Sequence, residues 1–443
     1  MPGSHRSSRY VRPLAFLIAL AAGGCGGGTS SSAPGPLPPP PPATKGKYFT
    51  HVVVIVQENR TFDNLFATFP GADGTTVGKT QHGTIRLRKA NLESPISPNN
   101  GYTFWRHDYN NGKMNGFDTE PPDQYVYQYV DPAQIKPYWD LAQQYVLADH
   151  NFQTQGSGSF TAHQDLIRGG TNIGGAQSLI DFPSAQPWGC DAPSGTRTSL
   201  ISLSNQYQHL QGPYPCLTYE TLRDTLDNAG ISWRYYTPPT GGFSGNLWNA
   251  FEAIKAVRQG SEWTTNVASP ETQIFSDIRH GQLASVSWVI PDYANSDHPG
   301  DNSDTGPSWV AQVVNAIGES PLWNTTAILV VWDDWGGWYD HVAPPGARSY
   351  GGLGFRIPLI AVAPFAKDGY VSHNQYELGS IVAFIEDNWN LPKLGTTDEH
   401  AADFAGDFFD FTQSKRKYVP IQTPYSRSYL LHRRPSMKPV DYE

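Results

Sequence analysis

The chain has 443 residues and a formal net charge of −9, enough length for one large α/β domain or two ordinary ones. The acidic balance excludes a nucleic-acid partner, because gripping a phosphate backbone needs clustered lysine and arginine. A 13% aromatic share beside 16% charged residues excludes a disordered or coiled-coil protein and suits an exported enzyme with long ordered loops.

Residues 1–24 read as an export signal. Arg6, Arg9 and Arg12 precede an apolar run at 14–22 that is too short to cross a bilayer stably, and small residues then lead to Cys25. A cysteine where processing ends resembles a bacterial lipoprotein signal, with Cys25 as the lipid-carrying N-terminus. Ala22 stands where such signals usually have Leu, so plain secretion remains the second reading. Residues 1–24 hold three of the 31 basic residues and none of the 40 acidic ones, so without them the balance falls from −9 to −12. Residues 25–46 are rich in Gly, Ser and Pro and cannot bury a core, which predicts an extended, semi-rigid tether. A single catalytic domain is expected over 47–443, located in the periplasm or at the cell surface, anchored or secreted.

Within that domain, 51–57 is a buried-strand pattern followed with no spacer by Glu58-Asn59. A helix is expected over 138–146, running into Leu147-Ala148. Gly156-Ser157-Gly158 frees the backbone before Ser159, where another helix pattern begins. Cys190 and Cys216 lie in Pro/Gly-rich loop sequence, and in an exported chain they are expected to be joined. A helix over 220–229 stops at Gly230, and 231–236 reads as a strand. Helices are expected at 247–258 and 274–279, a buried strand at 283–290, and a helix at 309–317. The strand at 327–332 runs without a spacer into Asp333-Asp334, then Gly336-Gly337 and Asp340-His341. A buried strand at 357–363 and a helix at 378–389 follow, and the basic, aromatic tail after Phe411 is expected to pack over the outside. Strands alternating with helices predict an α/β sheet covered on both faces.

In such sheets ligands gather where strands end at their carboxyl edge. Three carboxylates and an amide at two such ends suit a hard or borderline cation. Ser159, at a helix N-terminus, sits where unpaired N–H groups and the helix dipole hold a phosphate, and a metal can activate its hydroxyl. On that stretch alone a helix cap is the simpler reading, with Ser157 and Thr161 as rival hydroxyls. A serine-esterase elbow fits poorly, since position 161 is Thr where that motif needs Gly. His298 and His341, in loops after strands, are candidates to meet phosphoryl oxygens or protonate a leaving group.

Glu58-Asn59-Arg60-Thr61-Phe62-Asp63 resembles the block that opens the phosphoesterase family of bacterial phosphatidylcholine-type phospholipases C and related acid phosphatases. The resemblance continues through Gly112-Lys113-Met114-Asn115-Gly116-Phe117, the Ser159 block, Ser296-Asp297-His298-Pro299 and Asp333-Asp334. It runs on through Gly336-Gly337-Trp338-Tyr339-Asp340-His341, Arg356-Ile357-Pro358 and Gly369-Tyr370-Val371. It implies an alkaline-phosphatase-like α/β fold and one divalent metal ion held by Glu58, Asn59, Ser159, Asp333 and Asp334. It also implies Ser159 as the nucleophile that takes the phosphoryl group from a phosphate mono- or diester, phospholipid included. Three positions depart from the pattern. The usual upstream histidine has no secure counterpart, since His107 stands too close to the Gly112 block; Thr161 replaces a usual Pro; and Asp334 stands where Glu is also common. The length favours a compact phosphatase or generic phosphoesterase over a dedicated phospholipase. The alternative from another class is a surface-tethered binding protein that kept the fold and lost the activity.

Overall fold

The computed structural model describes residues 37–119, 124–239, 245, 247–300, 303–346 and 352–434. The expected export signal and Cys25 lie outside the described residues. Eight strands form the central sheet: β1 (His51–Gln57), β2 (Val146–Ala148), β3 (Trp233–Tyr236), β4 (Val267–Ala268), β5 (Val286–Val289), β6 (Thr326–Trp332), β7 (Leu359–Val362) and β8 (Tyr370–Ser372). Their order is β4-β3-β5-β1-β6-β7-β2-β8. Seven run in one direction and β7 runs against them. β1 and β6 are buried along their whole length, which is why both read as unbroken apolar runs without alternation.

Among the described residues, six of the helices are α1 (Lys136–Gln144), α2 (Ser159–Arg168), α3 (Leu222–Asn228), α4 (Gln273–Arg279), α5 (Gly306–Gly318) and α6 (Leu378–Trp389). Two tryptophans show that they cover both faces. Trp288 pairs across the sheet with Val54 and Trp332 with Gln57, three residues further along β1 and therefore on the opposite face. The Trp288 indole donates to the Leu166 carbonyl on α2, at 3.1 Å, whereas Trp332 packs edge-on against Tyr138 of α1 with ring centroids 4.9 Å apart. The expected α/β sheet with helices on both faces is present.

Four elements differ from the sequence reading, one of them the strand at 283–290, which contracts to Val286–Val289. The helix at 138–146 ends at Gln144, because Tyr145 leaves helical geometry and Val146–Ala148 pair as β2. The helix at 247–258 is broken into a 3-10 turn at Ala250–Ala253 and a helical turn at Lys255–Arg258. The break is a tertiary effect: Leu217 bridges the extended Ile254, its N–H bonding Ala253 O at 2.7 Å, and the Asn249 side chain caps Phe251. The strand at 357–363 contracts to Leu359–Val362 and runs antiparallel, and among the described residues no crossover helix separates it from β6.

The described part of the expected tether lies on the domain. Pro38 O accepts from Arg234, Thr44 N–H donates to Ser285 Oγ at 2.8 Å, and the Trp389 indole donates to Thr44 O at 2.9 Å. The tail packs on α5, where Asn315 Oδ1 accepts from Tyr418 OH at 2.6 Å and from Ile421 N–H at 2.8 Å. Among the described residues no helix is long and apolar enough to cross a membrane. Cys190 and Cys216 form a disulfide with Cα atoms 4.3 Å apart, closing a loop of sequence separation 26. Loop-closure entropy puts its contribution at about 3.5 kcal/mol. Denaturant unfolding with and without reductant should show a loss of that order, and an unchanged midpoint would refute it.

Candidate active site

The two strands at the centre of the sheet run flush, with Gln57 opposite Trp332. The residues that follow therefore leave the same edge side by side: Glu58-Asn59 from β1 and Asp333-Asp334 from β6. Their backbones continue to pair, Asp333 N–H to Gln57 O at 2.9 Å and Arg60 N–H to Asp334 O at 3.0 Å. Asn59 turns the chain at φ 59°, a left-handed conformation that Asn tolerates, and its N–H donates to Asp333 Oδ1 at 2.9 Å. The turn after Asp334 comes so close that a Cβ on Gly336 would lie 2.2 Å from Asn59 O. This contact, with φ at +58°, explains the glycine there.

α2 brings Ser159 to that edge from its first turn. Ser159 Oγ lies 3.0 Å from Asp334 Oδ2 and 3.2 Å from Asn59 Oδ1. The rival hydroxyls are occupied elsewhere: Ser157 Oγ accepts from Thr161 Oγ1 at 2.8 Å and from Asp181 N–H at 2.7 Å. One helical turn beyond Ser159, on the same face, His163 Nε2 lies 2.9 Å from Glu58 Oε1 and 3.7 Å from Asp333 Oδ2. Asn100 Nδ2 donates to Asp334 Oδ1 at 3.0 Å and Gly336 N–H to the same oxygen at 2.7 Å. Glu58, Asn59, Ser159, Asp333 and Asp334 are all fully buried.

Converging buried carboxylates repel one another and lose hydration, at a cost of several kcal/mol each without a countercharge. Here Glu58, His163 and Asp333 present ligand atoms within 4.8 Å of one another, with Asp334, Asn59 and Ser159 bonded alongside. Carboxylate, amide and hydroxyl oxygens with one imidazole are a donor set that fits a divalent cation.

His163 and Asn100 were not singled out in the sequence. The Ser159-to-His163 spacing of four on a helix was a readable signal; Asn100 lies in a loop with no pattern to mark it. His298 is fully buried against Trp248, with Nδ1 donating to Pro299 O at 2.6 Å. Its loop reaches β1, where Glu58 N–H donates to Ser296 O at 2.8 Å. Next to it, burial pushes the Asp297 carboxyl up to about 6 against the charge of Arg60 and hydrogen bonds from Tyr138 and Trp332.

His341 sits in a different group from Ser159. Its Nδ1 lies 2.7 Å from Asp63 Oδ2 and its Nε2 3.2 Å from Asp73 Oδ1, beside the buried Arg356, which bonds Asp340 at 2.9 Å. Burial lowers the His341 pKa, but the hydrogen bond and charge of Asp63 outweigh it and the net shift is upward. A raised folded value means that stabilisation is complete below the ordinary 6.5 and lost as pH rises through the folded value. The melting temperature should therefore fall across that window in the parent and less in His341→Gln. Parallel curves would refute the coupling.

A cavity of ≈ 550 Å³ is lined by Asn99, the neighbour of Asn100, and by Phe104, Phe182, Trp188 and Tyr207; none of the five clustered site residues lines it. Trp188 packs on Phe160, next to Ser159, with ring centroids 6.0 Å apart.

A buried carboxylate cluster thus faces a helix-borne serine at the carboxyl edge of the α/β sheet. The Phosphoesterase family model matches residues 49–392, and the chain belongs to that family. It is 26% identical over 387 residues to a non-hemolytic phospholipase C of Pseudomonas aeruginosa, covering 77% of this chain and 54% of that protein. Phospholipase C B of Mycobacterium tuberculosis is 25% identical over 403 residues, covering 77% of this chain and 73% of that one. Non-specific phospholipase C6 of Arabidopsis thaliana is 25% identical over 424 residues, covering 84% and 74%. The chain thus spans about half the length of the Pseudomonas relative and three quarters of the other two. Among solved structures, a Vibrio parahaemolyticus protein of the alkaline phosphatase superfamily aligns with a TM-score of 0.37 and 11% identity, over 82% of this chain and 72% of that one.

Proposed function

We propose that this is an exported, metal-dependent phosphoesterase that cleaves phosphate mono- or diesters, phospholipids included, through a phosphoseryl intermediate. The observation that carries the reading is the Ser159 hydroxyl, 3.0 Å from Asp334 Oδ2 and 3.2 Å from Asn59 Oδ1 at the start of α2. Glu58, Asn59, Ser159, Asp333 and Asp334 would hold one divalent ion, with His163 bracing Glu58. Bound there, the ion supplies Lewis-acid stabilisation of the serine alkoxide and of the phosphoryl oxygens.

Asp334 accepts the Ser159 proton as Oγ forms its bond to phosphorus and the bond to the leaving oxygen breaks. The N-terminal end of α2, the positive end of its dipole, draws the phosphoryl oxygens and orients them. His298, held through Nδ1 by Pro299 O, is the group we assign to equatorial charge and to protonation of the leaving oxygen. Water then attacks phosphorus, giving a proton to His298, while the bond to Oγ breaks and Ser159 takes its proton back from Asp334. His341 takes a positioning role, steadying Asp63 and Arg356, and Arg356 bonds Asp340 six residues after Asp334. The aromatic cavity beside Phe160 is the place for the substrate's leaving group, apolar or cationic, by stacking or cation–π contact.

Purified protein, stripped with chelator and reloaded, should be assayed on p-nitrophenyl phosphate and on p-nitrophenylphosphorylcholine. Turnover that disappears with chelator and returns with metal supports the reading, and the preferred ester divides phosphatase from phospholipase C. Loss of both activities at every metal tested would leave the binding-protein alternative. Export is supported by the disulfide and by the pattern of residues 1–24; the mass of the N-terminal peptide from the native host distinguishes lipidated Cys25 from plain secretion.

A further inference from the structure

The device that builds the active site is used twice. β2 and β8 are parallel and paired Ala148 to Ser372, so the residues after them leave the same sheet edge together. From β2 come Asp149 and His150, and from β8 comes His373; the two segments are tied by Asp149 N–H to Ser372 O at 3.0 Å. We infer that Asp149, His150 and His373 form a second divalent-cation site, apart from the Ser159 cluster, that takes a transition ion of the zinc type.

Geometry is the first support. The three residues present ligand atoms within 4.8 Å of one another. His150 Nδ1 lies 2.7 Å from Asp149 Oδ1, and His373 Nδ1 lies 2.7 Å from Asp149 Oδ2. In a tetrahedral site with bonds of about 2.0–2.1 Å, neighbouring ligand atoms stand roughly 3.3 Å apart. One cation therefore replaces the two imidazole protons if each nitrogen–oxygen pair opens by about 0.6 Å, and His373, with its side chain 59% exposed, has room to move. The other nitrogen of His150 faces Asp73 Oδ2 at 3.4 Å, the carboxylate–histidine pairing that orients a metal-bound imidazole. Two imidazoles and a carboxylate select a zinc-type ion over calcium or magnesium.

Charge is the second support. The carboxylates of Asp63, Asp149 and Asp340 are fully buried, and the exposed Asp73 borders them. Arg356 is the fixed cation in this group, bonding Asp340, Asp63 and the carbonyls of Asp73 and Asp149. With neutral histidines, four acids against one guanidinium leave the group at −3. The Asp149 carboxylate accepts from Asp73 N–H at 2.8 Å, and its side-chain partners are imidazoles, so the cationic countercharge beside it comes from protons on His150 and His373 or from a metal in their place.

The test counts metal and does not depend on turnover. The full chain with Asp333→Asn and Asp334→Asn, stripped with chelator and dialysed against zinc alone, should retain one equivalent. With cobalt(II) alone it should show the visible bands of a four-coordinate ion. Adding His150→Gln or His373→Gln should abolish both signals while circular dichroism stays unchanged. If the Asn pair fails to fold, the parent chain is compared with its His373→Gln variant, where the count should drop by one. No bound equivalent in the Asn pair, or a count indifferent to both histidine changes, would overturn the proposal.

Discussion

Ser159→Ala should lower kcat by roughly four orders of magnitude or more, the loss seen when a nucleophile is removed from a machinery that acts as a unit. The same variant should leave no acid-stable phosphoryl group on the protein after rapid quench with a labelled monoester. It should keep its fold, because Ser159 opens α2 without acting as its cap, Gly158 being the N-cap residue. Ser157→Ala is the control: its oxygen accepts from Thr161 and Asp181, so the change loosens the loop and lowers the melting temperature without matching that kinetic loss. A Ser159→Ala protein with parental turnover would end the covalent mechanism.

Asp334→Ala should abolish metal binding and turnover together. Asp334 meets Ser159, Asn100 and the Gly336 N–H, so its removal takes away a ligand and the acceptor for the serine proton at once. Metal affinity should fall by more than about 100-fold, the upper end seen for groups that only support a ligand. Parent protein should melt at a higher temperature with metal than with chelator, since an ion that binds only the folded state stabilises it by mass action. The variant should show no such difference. Its chelated form should melt close to the chelated parent, because losing one of several crowded buried carboxylates offsets the lost hydrogen bonds. Retained metal-dependent melting in Asp334→Ala would remove Asp334 from the ligand set.

Both variants test an arrangement of which half was legible in the chain. Unbroken apolar runs at 52–56 and 327–332 marked strands buried on both faces, and polar pairs marked where those strands end. The helix after Ser159 was visible from Gly158 and the pattern behind it, and Cys190 with Cys216 from their loops and count. These are local properties, set by period, capping and backbone freedom, and a sequence carries them directly. Where periodicity met a tertiary constraint the reading failed, as at 247–258, where pairing with Leu217 pulls Ile254 out of helical geometry.

What only the tertiary structure decided is which local features become neighbours. Register places Gln57 beside Trp332, and so Glu58 beside Asp333; one residue of slip would turn the side chains to the other face. The docking of α2 on the sheet chooses Ser159 over Ser157 and Thr161 and brings His163 to Glu58, although all four stand within seven residues of chain. His341, adjacent in sequence to the same loop, goes instead to Asp63 and Asp73. Spacing along a chain encodes strand ends and helix faces. It does not encode which strands pair or how a helix is turned against them, because those depend on the packing of the whole core.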